Sequence, residues 1–165
     1  MDWLVFGAQW LHILLGILWF GNSLVLAVII IPAINRLPIL AQREIGAHIG
    51  DQAKRVFDVV GPSVILLGVI RGTLLGPIKS LDDVFGSAYG VTWLVALVVA
   101  ILTFLWGRIA ITGGVRAMSL APVNADGTPT SELEAATNRV KILVSLELVG
   151  FVVIFTCMIL MRFGL

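Results

Sequence analysis

The chain has two histidines, and one of them stands inside hydrocarbon-loving sequence: His12, in "GAQWLHILLGILWFGN" at residues 7–22. A polar side chain in such a run is costly in a membrane, faces the interior of a bundle, and is a functional-site candidate by default. An imidazole there offers three chemistries. It can ligate haem iron or another metal through a ring nitrogen, pass a proton, or hydrogen-bond across a helix interface to a hydroxyl or carbonyl. At helical spacing its face carries Val5, Ala8, Gly16, Trp19 and Ser23. Ala8 and Gly16, one turn away on either side, are small. They either let a second helix come close or leave room for a flat ligand over the ring.

Further polar groups bear on the choice. Met158 offers a soft thioether at comparable depth, although methionine in a core is far commoner than methionine on a metal. Asp58 and Glu147 have Arg55, Arg108, Arg139 and Lys141 towards the same side, so neutralising pairs are expected there. Gly68, Gly72 and Gly76 recur every four residues in "GVIRGTLLG", a ridge that permits a close helix crossing or a ligand against the backbone. His48 lies among charges and reads as an ordinary surface residue.

The elements that must position these residues are transmembrane. The chain is 59% apolar and 13% charged, with a mean hydropathy of +1.05, whereas soluble domains carry about 25% charged residues. Four apolar spans, at about 3–31, 56–75, 91–111 and 142–161, are each long enough for the roughly 20 residues of a bilayer crossing. Helices are the economical form, because backbone groups in lipid must be satisfied within the segment. The first span should stop at Pro32. Ser131 and Glu134 form a capping-box pattern that starts the fourth helix before it reaches the membrane. The expected fold is one all-α domain over 1–165, a four-helix transmembrane bundle. Met1, Asp2 and Trp3 lack the basic lead of a cleavable signal, so none is expected.

Basic residues orient the bundle. Arg36, Arg43, Lys54 and Arg55 lie between spans one and two, and Arg108, Arg116, Arg139 and Lys141 between spans three and four. Only Arg71, Lys79 and Arg162 fall on the other side. The excess puts both large connections in the cytoplasm and both termini outside, in a multi-pass protein of the cell inner (plasma) membrane. Ile45, Ile49, Ala53 and Val56 recur at helical spacing, which extends helix two into the cytoplasm from near Pro38. His12 then lies about 13 Å in from the outer end of its helix, and about 28 Å along it from Ile31. His48 is on the far side, so the two imidazoles cannot share one metal in one protomer.

"WLHILLGILWFGNSLVLAVIIIPAINRLP" resembles the opening helix of a superfamily of small bundles. It includes the membrane domain of copper-resistance protein D, relatives of that domain, and the four-helix protoporphyrinogen oxidase. His12, Trp19, Gly21 and the Pro32 to Pro38 turn carry the likeness, and "RGTLLG" and "NRVKILVSLELVGFVVIFTCMILMRF" follow it more loosely. The resemblance implies that His12 ligates haem b or lies on a copper path.

The expectation is a small membrane protein that binds haem b through His12, beside Gly16, Trp19 and Met158, for electron transfer or small-ligand binding. The second axial position is then open, filled by Met158, or filled by a partner chain. Two rivals are a non-catalytic scaffold or accessory subunit of a membrane complex, with His12 as interhelical glue, and a copper or other metal-ion permease. The partners expected are the lipid bilayer and a homodimer or larger membrane complex. A net charge of +1 argues against nucleic acid, and the single Cys157 cannot form an internal disulfide.

Overall fold

A computed structural model of the chain describes residues 2–165, and Met1 lies outside the described residues. The fold is all-helical. Helix α1 covers Trp3–Ile34, α2 Ile39–Gly72, α3 Leu81–Phe85, α4 Ala88–Leu120 and α5 Ser131–Arg162. Three of these, α1, α4 and α5, are long and apolar enough to cross a membrane. Helix α2 is equally long at 34 residues, but Asp58 and Arg71 fall in its C-terminal half, and its N-terminal half, which ends at Lys54 and Arg55, is polar.

Local chemistry explains where the helices begin. The Asp2 carboxylate accepts the Leu4 and Val5 N–H groups at 3.0 and 3.3 Å, satisfying two of the orphan donors of α1. Pro38 immediately precedes α2, which runs unbroken from Ile39 through the polar stretch into the apolar one. The amphipathic segment is therefore a true extension of the second long helix. Ser80 and Asp83 close a capping box on the short α3.

Three boundaries differ from expectation. Pro32 does not stop the first helix. A wide turn at Leu26–Ile30 precedes it, in which the Ile31 N–H reaches back to Leu26 O, and this loosened register makes room for a ring that would crowd the carbonyl four residues earlier. A second wide turn, Gly107–Ile111, carries α4 past the expected end of its span to Leu120. The cap of α5 is Thr130, not Ser131: the Thr130 hydroxyl accepts the Leu133 N–H at 3.2 Å and donates to Pro122 O at 2.9 Å. That second bond ties the cap to the preceding loop and selects it over its neighbour.

Helix α1 packs along α2 and α4 along α5, while contacts of α2 with α4 and of α1 with α5 join the two pairs. At the centre Trp19 meets Phe151 edge-on with ring centroids 4.9 Å apart, and Phe104 at 6.3 Å. Val60 and Val64 of α2 complete this buried cluster. Large apolar side chains such as Trp10, Ile17 and Val152 point outward and are more than half exposed, as a lipid-facing surface requires. At one end of the assembly the Arg43 guanidinium donates to the Ala121 carbonyl, and Arg108 pairs with Asp58. The two polar, basic connections therefore lie together.

Candidate functional site at the His12 interface

The face of α1 read from spacing is the face that the fold buries: His12, Trp19 and Ser23 are the buried residues of Trp3–Val25. His12 retains only 8% of its surface. Its Nδ1 lies 3.1 Å from the Val64 carbonyl oxygen on α2. A carbonyl only accepts, so Nδ1 carries a proton, and in the neutral imidazole Nε2 keeps the lone pair.

Val64 and Gly68 make this contact possible. A methyl group built on Gly68 would sit 3.2 Å from His12 Cε1, so the imidazole occupies the space that a side chain would take. One turn on, Trp93 of α4 does the same at Gly72, where such a methyl would lie 2.1 Å from its Nε1. The Trp93 indole N–H donates to Gly68 O at 3.3 Å. Gly68 and Gly72 thus form a socket for two ring side chains from two helices, whereas Gly76 is not part of a helical ridge, because α2 ends at Gly72 and a methyl on Gly76 would meet the Arg71 and Gly72 carbonyls. Close by, Arg71 Nε donates to Gln9 Oε1 at 2.8 Å, a second polar tie between α1 and α2.

The other residues singled out in sequence fall into place around this core. Trp19 is a packing residue, 4% exposed and enclosed by Phe104 and Phe151. Gly16 is not a close-approach glycine, since nothing lies within 4 Å of a methyl built there. Met158 is half-buried on α5. It lies seven residues beyond Phe151 and His12 seven before Trp19. The two therefore stand about 10 Å from the Trp19–Phe151 contact along oppositely running helices, at similar depth. His48 is exposed, with Nδ1 2.8 Å from Glu44 O of its own helix.

Haem b is tested by the space at His12. Ligand pockets hold several hundred cubic ångströms, and the imidazole is already seated against Gly68. Two cavities of about 230 and 270 Å³ lie elsewhere: one beside Asn22, Gln52 and Phe57, the other beside Thr103, Trp106 and Glu147. Neither is lined by His12, Gly16, Trp19 or Met158. Among the described residues no cluster of three or more His, Cys, Asp or Glu could hold a metal ion. Within one chain, His12 is the one His, Cys, Asp or Glu side chain described at this interface, and its ring lies against Gly68 where a flat ligand would need room.

The acidic groups divide. Asp58 finds Arg108, as the placement of charges in sequence suggests. Glu147 does not pair with a cation among the described residues. Its Oε1 instead lies 2.8 Å from where a methyl on Gly107 would be, and its carboxyl approaches Ser23. The Ser23 hydroxyl is sealed without a hydrogen-bond partner of proper geometry among the described residues.

Val64 and Trp93 were not legible as site residues. Val64 acts through its backbone carbonyl, which no side-chain pattern reports, and Trp93 reads as one aromatic among several in an apolar span. Comparison of the chain with protein-family models, curated proteins and solved structures gives no match.

Proposed function

We propose that the chain is a four-helix transmembrane bundle with α2 as its remaining crossing and both termini on the outer side of the plasma membrane. In this reading it serves as a non-catalytic scaffold or accessory subunit of a larger membrane complex. His12 then fastens α1 to α2. The observation that carries this is the Nδ1–H bond to Val64 O made by a ring seated on Gly68. Lipid supplies no hydrophobic force between helices, so interhelical hydrogen bonds and small-residue packing must hold the pair together. The His12 contact provides both at one point.

A second reading is favoured by one observation. Metal-bound histidines commonly donate their other ring N–H to a backbone carbonyl, and His12 already does so, leaving Nε2 free. With open space at Gly16, a haem b or a copper ion held between two copies of the chain would use that nitrogen. Absorption spectroscopy of protein made with ample haem separates the two. The scaffold reading expects a colourless protein in which His12→Ala weakens helix packing. The haem reading expects a Soret band that His12→Ala abolishes while the bundle stays folded.

A further inference from the structure

Glu147 plays no part in the His12 interface, yet it stands in the fourth apolar stretch, five residues and about 7 Å beyond Ile142. Its neighbours in sequence, Leu146 and Leu148, are apolar. A bare carboxylate at such a depth is costly and is found facing a bundle interior or a cavity, with a partner. Asp58 has taken Arg108, and Glu147 makes no ion pair among the described residues.

Two features prepare a place for this carboxyl. Its Oε1 comes against the backbone at Gly107, 2.8 Å from where a methyl group there would sit. Gly107 opens the wide turn of α4, and such single wide turns inside α-helices recur at functional sites. The same carboxyl forms part of the wall of an open cavity of about 270 Å³ between α4 and α5. Thr103 and Trp106 also line it, with the Thr103 hydroxyl packed against the Gly150 backbone, and Val99, Leu102 and Leu146 make it apolar. The Trp106 ring is anchored by its own N–H, which donates to Leu143 O at 2.9 Å.

We propose that this cavity binds a small amphiphilic organic ammonium ion, with Glu147 as its counter-ion. The chemistry selects against an inorganic divalent cation, because calcium or magnesium needs about six oxygens and these side chains offer three. An ammonium group requires fewer. Its N–H groups donate to the Glu147 carboxylate and the Thr103 hydroxyl, Trp106 provides an aromatic surface that attracts cations, and the apolar wall accepts the organic body. At about 270 Å³ the cavity is slightly smaller than the usual ligand pocket, which suits a single small ring or a short chain. The proposal rests on Glu147 lying within the bilayer and is independent of what His12 does.

The test is calorimetric titration of the full chain in non-ionic detergent at neutral pH, with phenethylammonium as probe and 2-phenylethanol as its neutral counterpart. Saturable binding of one phenethylammonium per chain is expected, with 2-phenylethanol at least tenfold weaker. Glu147→Gln should weaken the ammonium at least tenfold and leave the alcohol unchanged. Equal binding of the two probes, no saturable binding, or full retention by Glu147→Gln would overturn the proposal. A readout on the wild-type protein guards against a variant that fails to fold. A hydrophobic carbodiimide should modify Glu147, detected by peptide mass, and saturating phenethylammonium should slow that modification several-fold. Modification at an unchanged rate would equally refute the site.

Discussion

His12 Nδ1 and the Val64 carbonyl oxygen, 3.1 Å apart, join the first long helix to the second through a side chain on one and the backbone of the other. A carbonyl receptor makes the contact insensitive to the Val64 side chain. Val64→Ala should therefore keep the bond and lose only packing, whereas His12→Ala removes the donor. Interhelical hydrogen bonds in membranes average about 0.6 kcal/mol, so His12→Ala should cost at least about that much, with lost ring contacts added. Unfolding by denaturing detergent measures both. A His12→Ala protein as stable as the wild type would remove the fastening role.

The glycine socket gives a larger effect. Gly72→Leu drives a side chain into the Trp93 indole, already within 2.1 Å of a built methyl. Overpacking of this kind typically costs about 1–3 kcal/mol. Trp93→Ala in the same chain should recover part of the loss, because it vacates the contested space. Unchanged thermal stability of Gly72→Leu would mean that this face of α2 does not meet α4.

The orientation is open to labelling. In a Cys157→Ala background, cysteine placed at Asp126 should resist an impermeant thiol reagent in intact cells. Cysteine placed at Asp82 should react. The reverse pattern would invert the bundle and place His12 in the cytoplasmic half.

Acid sensitivity should appear at the α2–α4 connection. The exposed Asp83 carboxylate accepts the Lys79 and Ser80 N–H groups at 2.9 and 2.8 Å and the Ser80 hydroxyl at 3.0 Å. These bonds hold its pKa below the usual carboxylate range. A depressed folded-state pKa contributes stability above the unfolded value, about 3.9 for aspartate, and loses it as pH falls through the lower folded value. The melting difference between wild type and Asp83→Asn should be constant from neutral pH down to about pH 4.5 and shrink below about pH 4. A difference that does not change with pH would show that these bonds do not favour the ionised form.

Much of the architecture follows from patterns that sequence carries directly. Long apolar runs specify helices because lipid leaves the backbone no other partner, and the 3.6-residue period put His12, Trp19 and Ser23 on one face, which is the buried face. Backbone detail is not legible in the same way. Pro32 reads as a stop, yet a wide turn before it absorbs the ring. Ser131 matches a capping pattern, yet Thr130 is held in the cap by Pro122. The spacing of Gly68 and Gly72 is legible, but not which rings of the neighbouring helices, His12 and Trp93, they would seat. The charges near Glu147 suggested a neutralising pair, which the helices do not form. Pairing depends on the rotation of one helix against another, and no single span encodes that.

In the proposed function His12 holds helices together and ligates no cofactor. The absorption spectrum of detergent-purified protein, produced in cells supplied with excess haem precursor, tests it most directly. No Soret band is expected at any purity, because the imidazole is seated against Gly68. A stoichiometric Soret band that disappears in His12→Ala and survives in His48→Ala would contradict it, and would make Nε2 of His12 a haem ligand.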